Sequence, residues 1–155
     1  MNKSFWKGKR VLVTGDTGFK GSWLSLILNM YGAKVQGISS SKFNDNAGLY
    51  SCLGLNKISS TIDCDIRDFD QVCKAFNSFN PEVVFHLAAQ PLVRQSYQDP
   101  VTTYEVNVMG TMSILEAVKK SPSVKSAVMV TTDKCYKNNE WEWGYRENDP
   151  MGGHD

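Results

Sequence analysis

The sequence predicts an α/β fold, a doubly wound parallel sheet with helices packed on it. Three observations favour this class. A glycine-rich turn, Gly15-x-x-Gly18-x-x-Gly21, lies between an apolar β-branched run and an apolar run with helical spacing. Four more short apolar runs follow, and helical patterns alternate with them. Polar residues cluster after the predicted strands, at the edge where open α/β sheets bind ligands.

The predicted elements follow from hydrophobic period and from turn residues. Strands are predicted where short runs are rich in apolar and β-branched residues, at 10–14, 34–39, 59–64, 82–87 and 126–131. Helices are predicted at 19–31, 67–78 and 100–120, with one short helix around 48–53. Right-handed crossovers between parallel strands give an expected strand order of 3-2-1-4-5. Spacing in the first helix predicts a stripe that faces the sheet, formed by Phe19, Trp23, Leu26, Ile27 and Met30.

The longest predicted helix, residues 100–120, is apolar on two faces. Such a helix needs two partners, of which the sheet is one. The other would be a segment outside this chain or a second subunit. Asn107 is a polar residue inside this helix and requires a specific hydrogen-bond partner.

Composition favours one globular domain, since the 155 residues are 41% hydrophobic and 21% charged. The 17 Lys and Arg residues balance 16 Asp and Glu, so no bulk attraction to nucleic acid or to an anionic membrane is expected. No signal peptide and no membrane-spanning apolar run is recognisable, which predicts a cytoplasmic location. The four cysteines have no CxxC spacing and no nearby His, so reduced thiols and no metal site are expected.

The glycine turn predicts a dinucleotide-binding corner. Gly15 would permit the tight turn, Gly18 the approach of a pyrophosphate, and Gly21 the close packing of helix on strand. The second predicted strand ends in Ser39 to Ser41 and then Lys42, where NAD-binding folds commonly carry an acid. Serines bond ribose hydroxyls, and Lys42 would pair with a 2′-phosphate or lie solvated in a loop. NAD and NADP both stay open at this point.

Residues after the third and fourth predicted strands would continue this site. Asp65 is placed to accept from the adenine amino group, to cap the following helix, or both. Ile66 would pack on the adenine ring. Ala88 and Ala89 are small enough to let a cofactor lie close to the backbone. His86 lies among apolar residues and is predicted to be a hydrogen-bonded core histidine rather than a catalytic one.

Six stretches together resemble one family: VTGDTGFKGSWL, DIRDFD, VFHLAAQPLVRQSY, NVMGT, TTDKCY and EWEWGYRENDPMGGHD. They are similar to the CDP-glucose 4,6-dehydratases, which belong to the extended short-chain dehydrogenase/reductases and have a Rossmann-like fold. The triplet Thr132-Asp133-Lys134 and the segment around Trp143 are the most specific of these motifs. Asp16 departs from the pattern, which more often has His; an acid beside the pyrophosphate is unfavourable, so Asp16 is expected to point outward.

The catalytic Tyr-x-x-x-Lys pair of that superfamily has no match, because none of the six tyrosines precedes a lysine at that spacing. The resemblance therefore implies that residues 1–155 are a dinucleotide-binding domain truncated before that pair. The C-terminal substrate domain would be absent, and the sheet incomplete on its C-terminal side. This chain alone is expected to be inactive.

The resemblance implies NAD-dependent conversion of CDP-glucose to CDP-4-keto-6-deoxyglucose, a lyase reaction in deoxysugar synthesis of the O-antigen and lipopolysaccharide type. Asp133 would be the acid at O6, Lys134 the base at C5, and Thr132 a hydrogen-bond donor to the 4-oxygen. Asn107 would orient a water or a backbone carbonyl near the active site, or fill a bend in its helix.

The expected cofactor is NAD, with NADP not excluded, and a homodimer or higher homo-oligomer is expected. The alternatives are another NAD(P)-dependent sugar-nucleotide epimerase or dehydratase, or a non-catalytic dinucleotide-binding module. The expected cofactor contacts are Gly15, Thr17, Gly18, Phe19, Lys20, Gly21, Asp65, Ile66, Leu87, Ala88, Ala89, Gln90, Asn107 and Thr131.

Overall fold

The structure, a computed structural model, describes residues 2–40 and 48–152. Within them one parallel sheet has the strand order β3-β2-β1-β4-β5, which confirms the predicted fold class and order. The strands are β1 (Arg10–Thr14), β2 (Lys34–Ser39), β3 (Ser60–Asp63), β4 (Val83–His86) and β5 (Ser126–Met129).

The described helices are α1 (Lys3–Trp6), α2 (Phe19–Met30), α3 (Leu49–Cys52), α4 (Phe69–Phe79), α5 (Val93–Gln98), α6 (Pro100–Tyr104) and α7 (Thr111–Lys120). Short 3-10 turns lie at Leu55–Lys57 and Asp133–Cys135. The sequence analysis missed α1 and α5, neither of which contains a buried residue. The predicted helix of residues 100–120 is in fact α6 and α7 joined by a π-helix at Glu105–Gly110.

A hydrophobic core lies on each face of the sheet, because alternate residues of a strand point to opposite faces. Leu12 of β1 belongs to the core formed with α4 and α7, where Phe76 and Ile114 are fully buried. Val11 and Val13 belong to the other core, with Leu28 of α2. Both faces of the central strand are therefore covered, as a doubly wound sheet requires.

The predicted buried face of α2 is wrong. Phe19 and Met30 are both 73% exposed, and Trp23 and Ile27 are exposed as well. Near the start of α2 small residues are buried instead, at Gly21, Ser22 and Ser25, and Leu28 is the large buried residue of this helix. The physical reason is distance: α2 starts so close to the glycine turn that larger side chains have no room between helix and strand.

The two-faced character of the long helix is confirmed, and one of its faces is open. Ile114 and Ala117 are buried against the sheet. The other stripe is exposed along its length, at Val101, Tyr104, Val108, Met112 and Leu115. Strand β5 is at the edge of the sheet and is mostly exposed.

Candidate dinucleotide-binding and active site

The glycine turn after β1 brings three chain segments into contact. Gly15 has φ of 69°, a left-handed conformation that favours glycine, and its N–H donates to the Ile38 carbonyl at 2.7 Å. A Cβ at Gly15 would lie 2.9 Å from the Ala88 backbone nitrogen. A Cβ at Gly21 would overlap the Gly15 carbonyl oxygen. Only glycine at both positions therefore lets these backbone segments approach one another this closely.

The N-terminus of α2 points its first backbone N–H groups out of this turn. Gly18 is the N-cap and supplies no side-chain cap, so these donors remain for an anion. Phe19 and Lys20 form the exposed first turn. Thr17 Oγ1 is hydrogen-bonded to Ser39 Oγ at the end of β2. The predicted cofactor residues of this turn thus surround one helix N-terminus whose geometry suits an anion.

Asp16 does not point outward, contrary to the sequence-based expectation. It is 1% exposed, and its Oδ2 accepts from Thr61 Oγ1 at 2.5 Å. The carboxylate lies against Gly37, where any Cβ would overlap it. Burial raises the pKa of Asp16 to about 6, and the hydrogen bond from Thr61 Oγ1 together with the nearby backbone N–H groups partly opposes this rise.

Asp65, after β3, is held by an arginine that the sequence analysis did not identify. Arg67 Nε donates to both Asp65 carboxylate oxygens at 3.0 and 3.1 Å, and its Nη2 donates to Oδ2 at 2.6 Å. Its Nη1 donates to Glu105 in the π-helix at 2.8 Å. The Asp65-x-Arg67 spacing was a usable signal, but nothing in the sequence indicated Glu105.

The structure bears on two predictions for the loop after β3, the capping role of Asp65 and the cofactor contact of Ile66. Asp68 is the N-cap of α4 and accepts from the Gln71 N–H at 3.0 Å, so the proposed capping role of Asp65 is wrong. An N-cap residue directly precedes the first helical residue, and Asp68 holds that position before Phe69 while Asp65 does not. The Ile66 side chain is 5% exposed and packs in the core beside Gly110. A contact of Ile66 with the cofactor stays a prediction.

The segment after β4 is fixed from both sides. The N–H groups of Leu87 and Ala88 donate to Thr14 Oγ1 at 3.2 and 3.1 Å. Gln90 donates its N–H to Asn107 Oδ1 at 2.8 Å, and Asn107 Nδ2 donates to the Gln90 carbonyl at 3.0 Å. Asn107 therefore has the specific partner that its position required. Its predicted contact with the cofactor stays a prediction.

His86 is the hydrogen-bonded core histidine that the sequence predicted. It is 3% exposed, its Nδ1 lies 2.7 Å from Thr14 Oγ1 and its Nε2 lies 3.0 Å from Thr111 Oγ1. Thr111 donates its own proton to the Asn107 carbonyl at 2.7 Å, so Thr111 accepts from His86 Nε2–H. Burial lowers the pKa of His86 to about 4, and the ring is neutral at pH 7.

The proposed catalytic residues follow β5 at the carboxyl edge of the sheet. Thr131 and Thr132 are exposed, and Thr132 Oγ1 accepts from the Lys134 N–H at 3.2 Å. Lys134 is exposed and lies in the 3-10 turn Asp133–Cys135. The side chain of Asp133 lies outside the described part of the structure. The catalytic roles of the three residues stay predictions.

The aromatic loop, residues 137–150, leaves and returns to this turn. The Lys137 N–H donates to the Pro150 carbonyl at 2.9 Å, which closes its base. Tyr136 stacks on Tyr145 with ring centroids 5.4 Å apart, and Trp141 packs on the same Tyr145 ring at 5.6 Å. The loop is ordered by its own side chains, without regular helix or strand, as predicted.

Three further observations concern metal ligands, membrane-spanning helices and the predicted ribose-binding residues. Among residues 2–40 and 48–152 there is no cluster of His, Cys, Asp and Glu that could hold a metal ion. None of the helices in that part of the chain is both long and apolar enough to cross a bilayer. Ser41 and Lys42, predicted near the ribose, lie outside the described residues.

Comparison with known proteins places this geometry in one family. The family model described as GDP-mannose 4,6 dehydratase matches residues 12–154. The chain is 52% identical to the CDP-glucose 4,6-dehydratase of Salmonella typhimurium, over 100% of this chain and 43% of that protein. It is 31% identical to the CDP-paratose 2-epimerase of Salmonella typhi, over 94% of this chain and 45% of that protein.

A solved structure shares the fold and a measurable part of the sequence. The UDP-glucose 4-epimerase of Thermus thermophilus in complex with NAD superposes with a TM-score of 0.79 and 30% identity. The match covers 93% of this chain and 44% of the epimerase. The chain thus spans less than half the length of each of these three proteins.

Proposed function

Since the chain belongs to the GDP-mannose 4,6-dehydratase family, we propose that it is the NAD-binding domain of a CDP-glucose 4,6-dehydratase. The observation that carries this proposal is the 52% identity of this chain to the N-terminal part of the Salmonella typhimurium enzyme, against 31% and 30% to the two epimerases. The reaction would convert CDP-glucose to CDP-4-keto-6-deoxyglucose. These 155 residues alone would bind the cofactor without turnover, because they contain no Tyr-x-x-x-Lys pair.

The glycine turn fits a dinucleotide on the chain's own geometry. A pyrophosphate at the N-terminus of α2 would accept from the uncapped N–H groups there, and the absence of a Cβ at Gly15 and Gly18 lets it come close. Asp65, oriented by Arg67, would accept from the adenine amino group. Ala88 is packed against the turn and supports a cofactor path toward β5.

The residues after β5 would carry out the elimination. When bound, NAD supplies the hydride acceptor for oxidation at C4 and the hydride donor for reduction at C6. Lys134, as a neutral amine, would take the C5 proton once C4 is a ketone, since the ketone acidifies that proton. Asp133 would give its proton to the departing 6-hydroxyl, which leaves as water. Thr132 would hydrogen-bond the 4-oxygen and hold the sugar in place.

The experiment joins these 155 residues to the remaining part of the Salmonella typhimurium enzyme. In this chimeric protein we expect CDP-glucose to be dehydrated. With Lys134→Met, absorbance at 340 nm should show bound NAD being reduced while the keto-deoxysugar product fails to form. Lys137→Met, an exposed lysine in the neighbouring loop, is the matched control. Unchanged product formation in Lys134→Met would remove this lysine from the mechanism.

Self-association is the remaining part of the proposal. The exposed apolar stripe of α6 and α7, with Tyr104, Met112 and Leu115, supports a homodimer or a higher homo-oligomer. Sedimentation velocity of the chimeric protein tests it. A monomer at micromolar concentration would contradict this part and leave the proposed reaction unaffected.

A further inference from the structure

Asp16 is a buried carboxylate held by few donors. Its side chain is 1% exposed, and its Oδ1 has no hydrogen-bond partner within the described part of the chain. Its Oδ2 accepts from Thr61 Oγ1, and Thr61 Oγ1 is in turn 2.9 Å from Tyr50 Oη. A buried charge with so little solvation acts on its surroundings over a longer range than an exposed one, because water screens it less.

The position of this charge relates it to the ribose end of the site. The carboxylate occupies the space of a side chain at Gly37 in β2. Gly37 and Ser39 are two residues apart on one strand and project to the same face of the sheet, with a rise of roughly 7 Å between them. Ser39 is the strand-end residue, where dinucleotide-binding folds usually place an acid that binds the ribose 2′-hydroxyl.

We propose that Asp16 is the residue that makes this site select NAD over NADP, by repelling the 2′-phosphate of NADP from beneath β2. The inference rests on the proposed dinucleotide function and adds the source of its cofactor specificity. Both cofactors share the adenine and the pyrophosphate, so the ratio of their affinities reports the 2′-position alone. We expect the charge of Asp16 to change that ratio by roughly tenfold or more.

The protonation state of Asp16 decides whether this repulsion operates. Burial raises the pKa of Asp16 to about 6, so the group is ionised at pH 7.5 and loses its charge toward pH 5. Tyr50 of α3 is linked to Asp16 through Thr61. The other titratable residues of β1, β2, β3, α2 and α3 are Arg10, Lys34, Asp63, Lys20 and Cys52. Since a 2′-phosphate itself titrates at about pH 6, the comparison is made at a fixed pH of 7.5.

Calorimetric titration of the 155-residue chain with NAD and with NADP tests the proposal. The variants are Asp16→Asn, which removes the charge at constant shape, and Thr61→Val, which removes the donor that stabilises the ionised form. Asp16→Asn should raise NADP affinity relative to NAD by about tenfold or more, and Thr61→Val should move the ratio in the same direction by a smaller factor, because part of the Asp16 charge remains. Asp70→Asn, an exposed acid on α4, should leave the ratio unchanged.

The outcomes separate the inference from the function it rests on. An unchanged ratio in Asp16→Asn, or equal affinities of the wild type for NAD and NADP, overturns the role of Asp16. If Asp16→Asn does not fold, the ratio of NADP to NAD affinity in Thr61→Val is compared with that of the wild type, and an unchanged ratio overturns the role of Asp16. Failure of the folded wild type to bind either dinucleotide overturns the proposed function instead.

Discussion

Asn107 makes its two side-chain hydrogen bonds to one residue, Gln90, whose N–H it accepts at 2.8 Å and whose carbonyl it donates to at 3.0 Å. This pairing joins the π-helix to the segment after β4. Asn107→Ala leaves both Gln90 main-chain groups without that partner, at a cost of about 1–3 kcal/mol in unfolding free energy. We also expect weaker NAD binding, since the proposed cofactor site includes this segment.

The measurements are urea unfolding and calorimetric NAD titration, with Asn77→Ala as control, because Asn77 is exposed on α4. Equal stability and equal NAD affinity in Asn107→Ala and Asn77→Ala would contradict this account. π-helical turns often occur at functional sites. This one contains Asn107, which pairs with the main chain of Gln90.

Gly21 controls how closely α2 approaches the glycine turn. A Cβ there would overlap the Gly15 carbonyl oxygen and lie 2.7 Å from the Asp16 Cα. Both are backbone atoms, which cannot rotate away as a side chain can. Gly21→Ala should therefore destabilise the fold by about 1–3 kcal/mol and lower NAD affinity. Gly144→Ala is the matched control, since a Cβ there meets nothing within 4 Å. Thermal unfolding with and without NAD measures both effects.

Arg67 joins the Asp65 loop to the π-helix through Glu105. All three side chains are partly exposed, so Arg67→Met should cost little stability, about 1 kcal/mol or less. If Asp65 accepts from adenine, the same variant should weaken NAD binding, because the carboxylate loses the group that orients it. Arg94→Met, an exposed arginine on α5, should change neither quantity. A normal NAD affinity in Arg67→Met would separate Asp65 from adenine recognition.

The sheet was predictable because its signals are local. Runs such as Val11 to Val13 and the alternation of strand with helix determine class and order through the right-handed crossover rule. The face of α2 was not predictable from hydrophobic spacing, since Phe19 and Met30 look like core residues in any periodic count. Close backbone approach at Gly21 overrode hydrophobicity there, and the glycine itself was the available signal.

Within the site, individual residues with a clear sequence pattern were identified, but the distant residues that they bond to were not. His86 was recognised as a core histidine, but Thr14 and Thr111 lie 72 and 25 residues away and carry no sequence signal for it. Asp16 was predicted to point outward, but its carboxylate is buried in the space that the missing side chain of Gly37 leaves in β2. Such pairings arise from strand register, which a linear pattern does not reveal.

Asp16 and His86 should affect stability in opposite directions over one pH range. Burial raises the pKa of Asp16 from 3.8 to about 6. Its stabilising contribution is complete below pH 4 and is lost as pH rises through 6, by about 3 kcal/mol. Burial lowers the pKa of His86 from 6.5 to about 4. That contribution is complete above pH 6.5 and is lost as pH falls through 4, by about 3 kcal/mol.

Between pH 4 and 6.5 the effects of Asp16 and His86 on the pH dependence of unfolding free energy nearly cancel in the wild type. Together these two groups should therefore change its unfolding free energy little over this range. Asp16→Asn removes one slope, and its stability should rise with pH across this range by about 3 kcal/mol more than that of the wild type. Urea unfolding at pH 4, 5, 6 and 7 measures the difference, with Asp70→Asn as the exposed control. Parallel curves for wild type and Asp16→Asn would mean that this carboxyl does not titrate in the folded state as its burial requires.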